Sequence, residues 1–192
     1  MAREIEAKLK LDDPEALAQR LKEVSARWQG EVVETNAIYD TEDRSLLAAD
    51  KALRIRSARD VNSSAVHCTM TYKGPVHPGR FKNRDEIEMT VSDAHIAGEL
   101  LERLGFARVF RFQKHRQSWK LGECKVEIDR LPYLGAFLEI EGPSEEAIAQ
   151  TRQIWQLADR PVLRGSYVGM LVAHLQERGD NIVDVTFPGP ER

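Results

Sequence analysis

Charge that recurs every second residue, grouped by sign, is the feature that most restricts how this chain can fold. The stretch EIEAKLKL at residues 4–11 alternates Glu4, Glu6, Lys8 and Lys10 with Ile5, Ala7, Leu9 and Leu11. A β-strand sends successive side chains to opposite faces, so one face is apolar and the other fully ionised. The pattern returns along the chain. Arg54 and Arg56 alternate with Leu53 and Ile55, and Arg84, Glu86 and Glu88 with Asp85, Ile87 and Met89. Lys114, Arg116 and Lys120 share a face, Lys125, Glu127 and Asp129 alternate with Val126 and Ile128, and Glu139 and Glu141 with Leu138 and Ile140.

One such strand fits a sheet with helices on one side and water on the other. The repetition asks for more. Two carboxylates at i and i+2 lie about 7 Å apart and repel by about 2 kcal/mol at an effective dielectric near 20. Acid pairs at 4/6, 86/88, 127/129 and 139/141, with basic pairs at 54/56 and 114/116, each need a partner of opposite sign. A polyanion beside divalent cations supplies both: bases hold phosphates, and acids hold the metal that the phosphates also ligate.

Four segments carry helix signals: 12–24, 92–106, 144–159 and 166–179, opened by Asp or Ser and repeating apolar residues on one side. Strands are expected at about 4–11, 32–40, 52–59, 66–73, 82–91, 108–121, 124–130 and 136–141. Strands polar on one side can close into a barrel. The expected fold is therefore α+β: a closed, mostly antiparallel eight-stranded barrel whose charged faces line a tunnel, with the apolar faces outward under helices. The length of 192 residues suits one domain, assigned to 1–178, with a peripheral tail at 179–192, where FPGPER can continue neither a helix nor a central strand.

A net charge of −3 argues against general nucleic-acid binding. No run is apolar enough to span a membrane and no signal peptide is evident, so the expected location is cytoplasmic. Cys68 and Cys124 lack a CxxC spacing and are taken as incidental thiols, and the five histidines show no metal spacing. Trp28, Trp119 and Trp155 are expected in the core.

The ordered set EIEAK, IYDT, LRIR, TYKGP, RDEIE, KHR, VEIDRLPYLGAFLEIE and SY resembles the CYTH superfamily, the triphosphate tunnel metalloenzymes, over about residues 3–175. The stretch TYKGP…GRFKNRDEIE resembles its class IV adenylyl cyclase-like branch. The resemblance implies a triphosphate held by Lys8, Arg54, Arg56, Lys73, Arg84, Lys114 and Arg116, and Mg²⁺ or Mn²⁺ served by acids among Glu4, Glu6, Glu86, Glu88, Asp129, Glu139 and Glu141. Glu139 and Glu141 are the better metal candidates, and Glu127 could instead pair with an arginine. Tyr39 matches a family tyrosine that pairs with a strand lysine, here Lys114, to activate water. Two reactions follow from the resemblance: cyclisation of ATP to cyclic AMP and pyrophosphate, or hydrolysis of inorganic, thiamine or nucleoside triphosphate. A binding module that holds a nucleotide or polyphosphate without turnover is the third reading. A monomer or homodimer is expected.

Overall fold

The computed structural model describes residues 2–24 and 26–188, with Ala2 described by its backbone alone. The last part of the FPGPER stretch, residues 189–192, lies outside the described residues. In chain order the elements are β1 (Ala2–Leu11), α1 (Pro14–Glu23), β2 (Arg27–Asp40), α2 (Ser45–Ala48), β3 (Ala52–Asp60), β4 (Val66–His77) and β5 (Lys82–Val91). There follow α3 (Ala94–Arg103), β6 (Ala107–Leu121), β7 (Cys124–Leu131), β8 (Gly135–Glu141), α4 (Glu145–Ile154), α5 (Tyr167–Glu177) and β9 (Asp184–Val185).

Strands pair in the order β2-β3-β4-β5-β1-β8-β7-β6, and a β2–β6 ladder closes the ring into an eight-stranded barrel. Every ladder around the ring is antiparallel. Closure removes the open edges that would otherwise invite other strands. Helices start where polar caps satisfy their first backbone N–H groups. Asp13 accepts from Ala16 N at 2.9 Å, Ser144 from Ala147 N at 3.2 Å and Ser166 from Gly169 N at 3.1 Å. α3 is capped by Asp93, one residue later than the expected Ser92.

Two apolar clusters lie on the barrel's outer wall. α1 and α4 bring Leu17, Leu21, Ile148 and Trp155 onto Ala7, Leu9, Val126, Ile128, Leu138 and Ile140, the outward partners of the charged rows. α3 brings Ala97 and Leu101 onto Tyr39, Leu53 and Ile55. Trp119 and Trp155 are buried as expected, whereas Trp28 is 45% exposed and packs edge-on against Trp119 at 4.8 Å.

The third cluster departs from a wholly charged lumen. Phe110 and Phe112 precede Lys114 on the inward row of β6, Leu131 follows Asp129 on β7, and Phe137 precedes Glu139 on β8. These four pack against Tyr167, Leu171 and Leu175 of α5. One end of the barrel interior is thus apolar and seated against a helix.

The segment after Gly179, expected to be peripheral, instead lays Asp184–Val185 beside β6, parallel to Arg111–Phe112. β7 pairs with β6 only from His115 onward, so the first half of β6 has an unfilled edge. Val185 is 1% exposed and joins the α5 cluster, and Asp184 pairs with Arg111 at 2.5 Å. The apolar side chain and the open edge together outweigh the Pro and Gly that follow.

Candidate functional site: the tunnel interior

The inward rows of adjacent strands meet in two linked clusters. In the first, Arg116 on β6 donates to both carboxylate oxygens of Asp129 on β7 at 2.6 Å, to Glu139 on β8 at 2.5 Å and to Glu127 at 2.5 Å. Lys114, two residues before it, reaches Asp129 at 3.1 Å and Glu34 on β2 at 3.3 Å. Lys8 on β1 reaches Glu139 at 3.3 Å and lies 3.9 Å above the Tyr167 ring. The Tyr167 hydroxyl donates to Asp129 at 2.9 Å. All these groups are buried, and charges removed from water persist only when paired and hydrogen-bonded.

In the second cluster Lys73 on β4 bridges Glu4 at 2.6 Å and Glu86 at 2.9 Å, and Lys82 on β5 pairs with Glu6 at 2.6 Å. Arg56 lies 3.4 Å from Glu34. Arg54 donates to Thr71 at 3.1 Å and approaches Glu88 at 3.7 Å, while Thr71 itself donates to Glu88 at 2.8 Å. Arg84 turns to the rim, where it holds Asp50 at 2.7 Å and the Gly74 carbonyl at 3.2 Å. The Nε–H groups of Arg54, Arg56 and Arg84 are buried without an acceptor.

Electrostatics separates the groups. Burial and then the neighbouring Arg56 charge push Arg54 down to about 10, against the opposing pull of Glu34, Glu86 and Glu4. Burial works against ionisation of Glu139, but Lys8, Arg116 and Lys114 outweigh it and hold its carboxyl well below the usual range. Glu34 is likewise held low against burial by Lys114, Arg56 and Arg116. Asp129, which shares Arg116 with Glu139, is raised by burial, an effect its two bases only partly offset. Glu141 is raised by burial and, against the opposing charge of Lys125, by the acids Glu4, Glu127 and Glu86. Burial together with the charges of Asp129 and Glu139 keeps Tyr167 a neutral phenol.

The inward rows therefore gather Glu4, Glu6, Lys8, Arg54, Arg56, Lys73, Arg84, Glu86, Glu88, Lys114, Arg116, Asp129, Glu139 and Glu141 around one interior. Tyr39 is placed differently. It lies on the face of β2 opposite Glu34, Asn36 and Ile38, and its ring packs with Leu53, Ile55, Ala97 and Leu101 under α3. Burial raises its pKa, the opposite of what activation as a base needs. The aromatic group beside Lys114 is Tyr167, whose ring centroid is 5.3 Å from the ammonium.

Three participants escaped the sequence reading. Glu34 is a lone acid on its strand face, invisible to a search for same-sign pairs. Lys82 does share the parity of Arg84, Glu86 and Glu88, and that alternation could have found it. Tyr167 stands in the SY motif of the resemblance without a role there, and it comes from a helix, where strand parity carries no signal.

The interior forms a cavity of about 1010 Å³. Its wall includes the charged clusters and, toward α5, Ile38, Phe110, Phe112, Val172 and Leu175. The acids offer the hard oxygen donors that Mg²⁺ or Mn²⁺ takes. Glu141 makes no ion pair among the described residues and has Glu4, Glu86 and Glu127 as neighbouring acids beside the base Lys125, so the donor set suits such an ion. Among the described residues no three acids yet converge closely enough to enclose one; the ammonium of Lys73 stands between Glu4 and Glu86.

Comparison with known proteins agrees with this architecture. The CYTH domain family matches residues 2–162. "Putative adenylate cyclase MJ0240" of Methanocaldococcus jannaschii is 32% identical over 138 residues, spanning 72% of this chain and 75% of that one. The adenylate cyclase CyaB of Aeromonas hydrophila is 29% identical over 139 residues, spanning 71% and 67%. The solved structure of the PH1819 protein of Pyrococcus horikoshii superposes with a TM-score of 0.77 at 27% identity, covering 89% of this chain and 99% of its own.

Proposed function

This chain belongs to the CYTH domain family, and from that premise we propose that it is a divalent-metal-dependent enzyme that binds ATP in the tunnel and converts it to cyclic AMP and pyrophosphate. The observation that carries the reading is the set of three buried arginine Nε–H groups, on Arg54, Arg56 and Arg84, without acceptors. Guanidinium forks match phosphate oxygens, and buried donors left unpaired are costly. A triphosphate satisfies them and relieves the Arg54–Arg56 repulsion.

In the proposed complex the phosphates lie along Arg84, Arg54, Arg56, Lys73, Lys8, Lys114 and Arg116. Lys73 turns from Glu4 and Glu86 toward phosphate, which frees those carboxylates. Glu141, with Glu4 and Glu86, would hold the ion. A bound Mg²⁺ or Mn²⁺ neutralises phosphate charge and raises the electrophilicity of phosphorus. The ribose 3′-oxygen attacks the α-phosphorus, the bond from that phosphorus to the β-phosphate oxygen breaks, pyrophosphate leaves and the 3′-hydroxyl proton is released. Catalysis of this kind rests on positioning and charge stabilisation, which a rigid cage of bases provides. The apolar end at Phe110, Phe112 and Val172 suits a nucleobase and has nothing to offer an inorganic triphosphate.

The test is product analysis with ATP, inorganic triphosphate and thiamine triphosphate, each with Mg²⁺ and with Mn²⁺. Cyclic AMP plus pyrophosphate from ATP, lost in Glu4→Gln/Glu141→Gln, is the expected result. Orthophosphate without a cyclic product would replace the cyclase with a triphosphatase using the same cage. Metal-dependent binding without any product would make the tunnel a sensor.

A further inference from the structure

Beside Arg84 the rim of the tunnel is built from the segment that joins β2 to β3. Asp40, buried at the end of β2, accepts from the backbone N–H groups of Thr41, Leu46 and Leu47 at 2.8, 2.9 and 3.1 Å, which ties α2 to the barrel. Two residues after α2 the chain turns through Asp50, whose φ of +52° lies in the left-handed region. A non-glycine residue held there points to a local constraint. Its backbone is pinned on both sides: Asp50 N donates to the Leu47 carbonyl at 3.0 Å and Lys51 N to the Leu46 carbonyl at 2.8 Å.

The neighbouring strands supply matching groups. The β4–β5 ladder slips between Lys73 and Val76, and a bulge leaves backbone groups outside the ladder. Val76 N donates to Asp50 Oδ2 at 2.7 Å, and the Gly74 carbonyl accepts from Arg84 Nη1 at 3.2 Å. Asp50 takes the rest of the outer edge of that guanidinium: its Oδ1 accepts from Nη2 at 2.7 Å and its carbonyl from Nη1 at 3.3 Å. Arg84 lines the cavity, and its Nε–H is buried with no acceptor.

We infer, on the triphosphate reading of the tunnel, that Asp50 is a positioning residue: it holds both Nη groups of Arg84 at the rim, so that the Nε–H is left for a phosphate oxygen. A guanidinium is planar, and fixing two of its nitrogens fixes the direction of the third N–H. An arginine left free would lose rotamer freedom when the ligand binds, and ordering it beforehand removes that cost. A carboxylate that competed with phosphate would occupy Nε itself. Asp50 instead bonds Nη1 and Nη2, and its side chain is 55% exposed, so water and salt screen its charge. The same exposure makes the ion pair worth little to folding. Its loss is therefore read in ligand affinity.

Calorimetric titration of the full chain with inorganic triphosphate and Mg²⁺ tests the assignment. Asp50→Gly removes the carboxylate at a backbone angle that suits glycine, and it should weaken binding about fivefold. Asp50→Asn keeps an acceptor for Nη2 and should recover most of that loss. Arg84→Ala should weaken binding at least as much as Asp50→Gly, and adding Asp50→Gly to it should cost nothing more, because Asp50 acts only through Arg84. Tighter binding by Asp50→Gly would make Asp50 a competitor of phosphate and overturn the proposal. Binding equal to wild type overturns it too, as does a loss from Asp50→Gly that persists undiminished beside Arg84→Ala. In each of these cases wild type still binds and the triphosphate reading stands. A wild type that binds no triphosphate removes that reading, and the proposal falls with it.

Discussion

Arg116 and Asp129, buried neighbours on β6 and β7, are joined by two charge-assisted hydrogen bonds of 2.6 Å each. Around this fork stand Lys114, Glu139, Glu127 and Tyr167. The pair ties three strands and the closing helix together at the centre of the tunnel.

Removing the acid of that fork leaves two bases buried with too little negative charge. Asp129→Asn is expected to cost about 3–5 kcal/mol, the range found when one partner of a buried ion pair is deleted. Urea unfolding measures it. A loss below 1 kcal/mol would mean that the fork contributes little to the folded state.

Tyr167→Phe keeps the ring under Lys8 and deletes the bond to Asp129. A hydrogen bond to a charged group is worth about 1.5–3 kcal/mol, and stability should fall by that much. Tyr167→Ala should cost more, because the Phe137–Tyr167 contact at 5.2 Å is lost as well. Thermal melts of the two variants give the order directly.

Tyr39→Phe should leave turnover within about twofold of wild type, since its hydroxyl faces α3 and no proton transfer is assigned to it. A drop of a hundredfold would return Tyr39 to the chemistry. In the same contact, Gly98→Ala should destabilise by about 1–3 kcal/mol, because the added methyl presses on the Tyr39 hydroxyl.

Glu34 supplies a pH signature. Its folded pKa lies below the unfolded value near 4.3, through Lys114, Arg56 and Arg116 acting against burial. Its stabilisation is therefore complete above the unfolded pKa and is lost as pH falls toward the folded one. Wild type should lose stability below about pH 4, and Glu34→Gln should show a shallower loss there. Equal slopes in chemical unfolding between pH 5 and 2 would contradict this assignment.

The barrel was legible because strand parity is strict. Once Glu4, Glu6 and Lys8 share a face, the same alternation orients Arg54, Arg56, Lys114, Arg116, Glu139 and Glu141. What parity cannot supply is position along the strand. Parity does put Phe110 and Phe112 in one row with Lys114 and Arg116, but it gave no hint that α5 would meet that apolar end. Alternation from Glu34 and Asn36 through Ile38 already turned Tyr39, the residue on which a base role rested, to the outward face with Ala37. β9 depended on an edge left open by the length mismatch of β6 and β7, a relation between distant segments. The acids of the tunnel were found as residues, but their engagement by Lys73, Lys82 and Arg116 is a property of three dimensions.

The central claim is that the tunnel binds a triphosphate through arginines whose Nε–H groups are buried without an acceptor, and calorimetric titration tests it most directly. Inorganic triphosphate with Mg²⁺ should bind one-to-one to wild type, and Arg54→Ala/Arg56→Ala should weaken it by about a hundredfold or more, roughly 1.4 kcal/mol per tenfold. Absence of binding to wild type, or equal binding to the double variant, would contradict the account.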